Sequence, residues 1–212
     1  MRKFIGQEKK MKKVAFLVIL NFIVIFLIAA TAPPNLTPDE TTKLDKGEII
    51  VKFKEKPEGI NLRLVEAMGI IDAPRERVWK VIGDYANYKE FMPQVQESEI
   101  RKKEGNSVWQ YQKLSIPWPF PGNGTWYVIK LDHDPANFFV KWNMVEGNIK
   151  VNYGSWQLYP YGPGGKKTLA IYSLVVDTGF NVPASAIEFA NKQTVPMIIK
   201  AVRKRAPDPR YN

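Results

Sequence analysis

Between residues 95 and 176 the chain passes through six strand-length segments, and the turns between them are too short to hold a crossover helix. The segments are 95–102, 108–116, 125–132, 138–145, 149–159 and 168–176. Gly105-Asn106, Asp134-Pro135-Ala136-Asn137, Gly147-Asn148 and Gly162-Pro163-Gly164-Gly165 punctuate them. Strands joined this closely pair antiparallel, so a meander is expected. Two further strands, 48–54 and 62–71, come first, with Ile49, Val51 and Phe53 alternating. After them Asp72-Ala73-Pro74-Arg75-Glu76 reads as a helix start, capped by Asp72 or Ala73, with Val78, Trp79, Val81 and Ile82 as its apolar face. A second short helix spans 87–91. The last element is a long helix over 183–205, with Ser185-x-x-Glu188 as a capping box and Pro196 as an internal kink. The class is α+β: one curved antiparallel sheet and one amphipathic helix of roughly 34 Å.

Charge is concentrated at the two ends. Of the net +10, residues 1–13 hold six Lys/Arg against one Glu, and residues 183–212 hold six against two acids. The rest carries 19 against 18, so the middle is nearly neutral and nucleic acid is not expected as a partner. Arg2, Lys3, Lys9, Lys10, Lys12 and Lys13 precede an apolar run at 14–30, broken only by Asn21. That pattern reads as a signal peptide or membrane anchor over 1–32, roughly 25 Å as a helix. The positive flank stays inside, which puts the rest outside the cytoplasm, periplasmic or secreted, with 14–30 as an inner-membrane anchor if uncleaved. The Pro/Thr/Asp-rich stretch at 33–46 reads as an extended linker. The basic helix end, Lys200, Arg203, Lys204 and Arg205, reads as a solvated terminus or as a contact for an anionic membrane surface.

A helix of this length lies across the concave face of a bent sheet. Its inward stripe is mixed, with Asn191, Thr194, Met197 and small alanines among Ile187 and Ile198. A mixed stripe suits a cavity for a hydrophobic ligand with a polar head better than a filled core. The expected walls are Trp109, Tyr111, Tyr127, Trp142, Met144, Trp156, Tyr172 and Leu174 from the strands. Ile187, Met197 and Ile198 form the helix side, and Asn191 and Thr194 meet the polar head. Pro196 is a candidate hinge for a gate.

Several motifs in the same order resemble the START-like, helix-grip superfamily (SRPBCC), in the coenzyme Q-binding and polyketide cyclase/dehydrase branch. They are the stretch Ile71-Asp72-Ala73-Pro74 leading to Val78-Trp79 and Asp84-Tyr85, then Phe91-Met92-Pro93 followed by Val95, then Gly154-Ser155-Trp156-Gln157-Leu158-Tyr159-Pro160, then the terminal helix with its internal proline. The resemblance covers about 47–206, leaving 207–212 as a tail. It implies a helix-grip fold that binds a lipid, quinone or other hydrophobic molecule. The branch often carries an arginine before its aromatic pair; Pro117 to Tyr127 keeps the aromatics, Trp126 and Tyr127, without the arginine.

The chain has no cysteine, which excludes disulfides and thiol catalysis. Its only histidine, His133, sits at a strand end and reads as an exposed turn residue. Asp132, His133 and Asp134 are a poor metal set, since adjacent strand residues point to opposite faces. The glycines at 162–165 join two strands and lack a following Lys-Ser/Thr, so they are no phosphate loop. No cofactor, metal or catalytic residue is therefore expected. A non-catalytic carrier or sensor of a hydrophobic ligand is the leading expectation. A cyclase/dehydrase-type enzyme and a protein-interaction module with a filled core are the alternatives.

Overall fold

The computed structural model describes residues 33–54, 63–115, 123–179 and 183–212. The leader at 1–32 and the segment 116–122 ahead of the aromatic pair lie outside the described residues. Sheet, helices and core all belong to the unit Leu36–Asn212.

The six meander strands form as the alternation predicts: β3 (Val95–Glu104), β4 (Ser107–Ser115), β5 (Asn123–Asp134), β6 (Phe139–Gly147), β7 (Val151–Tyr161) and β8 (Lys167–Asp177). The two early strands are β1 (Ile50–Phe53) and β2 (Val65–Ile71). Together they make one antiparallel sheet of eight strands in the order β1-β2-β8-β7-β6-β5-β4-β3. The long-range join is β2 to β8, from Val65 opposite Leu174 to Ile71 opposite Thr168. Register shifts at Val95/Glu97 and Ile100/Lys102 in β3, at Leu114/Ser115, and at Val128/Ile129 mark bulges that bend this half of the sheet.

Among the described residues four α-helices accompany the sheet: α1 (Pro38–Asp45), α2 (Arg75–Ile82), α3 (Tyr88–Phe91) and α4 (Ala184–Arg205). α4 runs on through Pro196 and divides into two halves. In its C-terminal half Val195, Ile199 and Val202 are buried in the main core with Ile71, Val78, Val81 and Ile82. Gly69 on β2 makes this close approach possible, because a Cβ there would lie 2.8 Å from Ile199 Cγ2. Phe189 in the N-terminal half and Met197 just after Pro196 are exposed on the outer side of the helix.

Several local expectations are corrected. The stretch read as an extended linker contains α1. Thr37 Oγ1 accepts from Glu40 N at 3.2 Å and Thr37 N donates to Glu40 Oε2 at 2.9 Å, a reciprocal capping box. Leu44 then packs with Met68 and Leu169 in a second small core on the opposite side of the sheet. The side-chain caps expected at Asp72 and Ser185 do not form. Pro74 and Pro183 take the capping positions with extended backbone, and their fixed φ lets the helix begin at the next residue. The basic end of α4 is only partly a solvated surface. Arg203 donates to Ile70 O at 2.7 Å and Gly47 O at 2.8 Å, and Arg205 pairs with Glu90 at 2.6 Å. Lys200 and Lys204 remain exposed. The tail at 207–212 is docked on the domain: Tyr211 is buried, its hydroxyl donating to Asp84 Oδ2 at 2.6 Å.

Gly154 on β7 faces Trp142, its partner across β6. A Cβ at Gly154 would overlap the Trp142 ring and the Ser173 carbonyl oxygen. The ring can lie across β7 only because that position has no side chain. Gly154→Ala should therefore lower unfolding free energy by about 1–3 kcal/mol through overpacking. Urea denaturation followed by far-UV circular dichroism reads this directly, and an unchanged midpoint would mean that Trp142 yields freely.

Candidate functional site: a cavity under the terminal helix

The space between the N-terminal half of α4 and the concave face of the sheet is open. It forms a cavity of about 250 Å³, close to the lower end of the roughly 300–1,000 Å³ common for small-molecule sites. The space under this part of the helix is therefore not filled by the described side chains.

Each wall follows from strand alternation. On β7 Asn152 and Trp156 face inward, and on β8 Tyr172, Leu174 and Val176 do. Trp142 comes in from β6 and Ile149 from the turn after it. Tyr172 stacks against both tryptophans, with ring centroids 4.7 Å from Trp156 and 5.5 Å from Trp142. This aromatic floor is held by Trp142 Nε1 donating to Asn152 Oδ1 at 2.9 Å. The roof is Ile187, Ala190, Asn191, Thr194, Val195 and Ile198 of α4. Thr194 spends its hydroxyl on the Ala190 carbonyl at 2.9 Å, within its own helix, so that donor is already committed. Tyr88, Met92, Pro93 and Gln94 close the end near α3.

Nine of the thirteen expected residues line the cavity: Tyr127, Trp142, Trp156, Tyr172, Leu174, Ile187, Asn191, Thr194 and Ile198. Four do not. Trp109 and Tyr111 are on the outer face of β4, where the pleat places its odd-numbered positions. There Trp109 lies under Lys102 and Lys130, and Tyr111 under Arg101. Met144 packs against the main core outside the cavity lining. Met197 is 46% exposed, because a helix stripe one residue to its side, Val195 and Ile198, takes the inward direction.

The inward positions of β4 are Gln110 and Gln112, which selection by aromatic size passes over. Gln110 Nε2 donates to Ser98 Oγ at 2.8 Å and Tyr85 O at 3.3 Å. Gln112 Oε1 accepts from Tyr127 OH at 3.1 Å. Thr125 on β5 adds a buried hydroxyl. The signal that marks them is the strict alternation of Val108, Gln110, Gln112 and Leu114, which puts amides and aliphatics on one face.

Among the described residues the lining contains no Asp, Glu, Lys, Arg or His. Its ionisable groups are phenols. Burial raises Tyr127 to about 12, against a smaller downward pull from its hydrogen bond with Asn152. Burial also raises Tyr88 and Tyr172. All three remain protonated at neutral pH. His133 is not an exposed turn residue. Its Nδ1 donates to Asn106 O at 2.9 Å, which makes Nε2 the acceptor for Tyr85 OH at 2.7 Å, outside the lining.

A buried phenol whose folded pKa lies above its unfolded value stabilises the fold fully below pH 10, the unfolded value. Above it the unfolded chain gives up the proton first, so stability should fall as pH rises towards 12, Tyr127's folded value. Urea unfolding at stepped pH should show this decline, and Tyr127→Phe should make it shallower. A slope identical in the variant would locate the effect elsewhere.

The model of the family described as polyketide cyclase/dehydrase and lipid transport matches residues 71–203. No curated protein matches the chain. Solved structures share the fold at low identity. A STAR-related lipid transfer protein (fragment 25–204) from Xanthomonas axonopodis is 20% identical, with a TM-score of 0.62 over 76% of this chain and 94% of that one. A START superfamily protein from Mycobacterium smegmatis is 18% identical, with a TM-score of 0.59 over 68% and 97%. The Zhui aromatase/cyclase from Streptomyces sp. R1128 is 19% identical, with a TM-score of 0.58 over 68% and 93%. The curved sheet, the gripping helix and the match over residues 71–203 place this chain in the polyketide cyclase/dehydrase and lipid transport family, with a START-like helix-grip fold.

Proposed function

We propose that the protein is a non-catalytic carrier or sensor of a hydrophobic small molecule, a lipid or quinone-like compound, held under α4. The observation that carries this is the lining of the cavity, uncharged and largely apolar among the described residues. Binding would draw on burial of apolar surface, roughly 25 cal/mol per Å² before the costs of association. Chemistry of the cyclase or dehydrase kind needs a group that takes up a proton beside the substrate. The ionisable side chains of the described lining are tyrosines held in their protonated form, which favours holding a ligand over converting it. The resemblance in fold to a lipid transfer protein points the same way.

The same reading puts the domain outside the cytoplasm. Its support is sequence alone: six cations in residues 1–13 followed by the apolar run at 14–30. Among the described residues no helix is long and apolar enough to cross a membrane, and the run itself lies outside them.

Native mass spectrometry of the full chain purified from its host's membranes should show a co-purified hydrophobic molecule. Ala190→Trp fills the roof and should reduce that adduct about tenfold or more, with the unfolding midpoint little changed. Protein that is ligand-free from the host, and that also fails to bind a neutral fluorescent lipid, would defeat the carrier reading. Protease added to intact spheroplasts should degrade the domain, and full protection would defeat the extracytoplasmic placement.

A further inference from the structure

The cavity has a polar edge on the inner faces of two neighbouring strands. Gln110 and Gln112 stand two apart on β4; Tyr127 is opposite Gln112, and Thr125 is opposite Leu114. The orientation of the Gln110 amide is set by its partners. Ser98 Oγ donates to Tyr85 O at 2.6 Å, and the same carbonyl receives Gln110 Nε2 at 3.3 Å. A carbonyl only accepts, so the NH2 end must face it and Oε1 must take the other side. Oε1 is buried and has no hydrogen-bond partner among the described residues, in a fully buried side chain that borders the cavity. A buried acceptor left unmet is unfavourable, and the free energy is recovered when a donor arrives.

The next inward position on β4 is a neutral donor: Gln112 uses its carbonyl on Tyr127, which leaves its N–H groups to donate. Thr125, opposite Leu114, carries its hydroxyl further along the same face. A carboxylate or ammonium entering here would meet no counter-charge among the described lining residues. A molecule offering only acceptors, such as a quinone, would satisfy Gln112 and Thr125 but leave Gln110 Oε1 as it is. A hydroxyl does both: its hydrogen goes to Oε1, and its oxygen accepts from Gln112, the neighbouring inward position on β4.

We infer that the ligand is a neutral amphiphile whose buried end is a hydroxyl, an alcohol or phenol received by Gln110 Oε1. The inference rests on the carrier reading and narrows its ligand class. Gln110 is then the residue that sets specificity, and the aromatic floor holds the apolar body.

The test uses the purified full chain at pH 8, with N-phenyl-1-naphthylamine as a neutral fluorescent occupant of the cavity. Three competitors share one body: 1-dodecanol, its methyl ether and dodecanoate. The alcohol should displace the probe at about tenfold lower concentration than the ether, with the carboxylate weakest. Gln110→Met keeps the side-chain length and removes the amide. It should bring alcohol and ether within about twofold, by weakening the alcohol and leaving the ether unchanged. Gln110→Leu repeats the comparison if the methionine variant does not fold, and the alcohol-to-ether ratio of the unaltered chain needs no variant. Equal displacement by alcohol and ether in the unaltered chain overturns the hydroxyl inference while the carrier reading stands. A tenfold ratio that survives in a folded Gln110 variant overturns the assignment to this residue. Failure of the probe and of all three competitors to bind overturns both readings together.

Discussion

The contact between α4 and β2 decides the rest of the molecule. Gly69 lets Ile199 settle directly on the sheet, and Val195, Val202 and Ala206 enter the same core. Arg203, reaching to Ile70 O and Gly47 O, fixes the helix in rotation as well as in height. With its C-terminal half pinned, the N-terminal half projects over a curved sheet whose strands β3, β4 and β5 carry bulges. The cavity is the space left between a helix fastened at one end and a curved sheet.

What keeps that space open is the chemistry of its borders. The floor is three large rings, Tyr172 set against both Trp142 and Trp156, and rings of this size resist collapse into a gap. The roof is built from small and branched residues, Ala190, Thr194 and Val195, that do not reach down to them. The polar edge at Gln110 and Gln112 is tied outward, to Ser98, Tyr85 and Tyr127, so that it too holds its place. A guest would enter a largely preformed site and would have little ordering left to impose.

The meander was legible because its signal is local: alternating segments and short turns admit one pairing mode. The family motifs from Ile71 to Pro160 and the terminal helix were legible in the same way, and the match over residues 71–203 agrees with them. Helix α1 was missed although Thr37 and Glu40 spell a capping box, because the composition of the segment outweighs its spacing when both are read together. In the site, Trp142, Trp156 and Tyr172 were found from size and hydrophobicity. Trp109 and Tyr111 were misplaced because size says nothing about which way a pleat turns, and Gln110 and Gln112 were passed over for the same reason.

Sequence alone determined the strand count of the meander, its antiparallel pairing and the presence of one gripping helix, since each rests on periodicity and turn length within a few residues. Only the tertiary structure decided that β2 closes onto β8, that α4 is fastened at one end, and that an amide oxygen of Gln110 is left without a donor at the cavity. Those outcomes depend on residues far apart in the chain being brought to one place, where the packing of each is set by the others rather than by its neighbours in sequence.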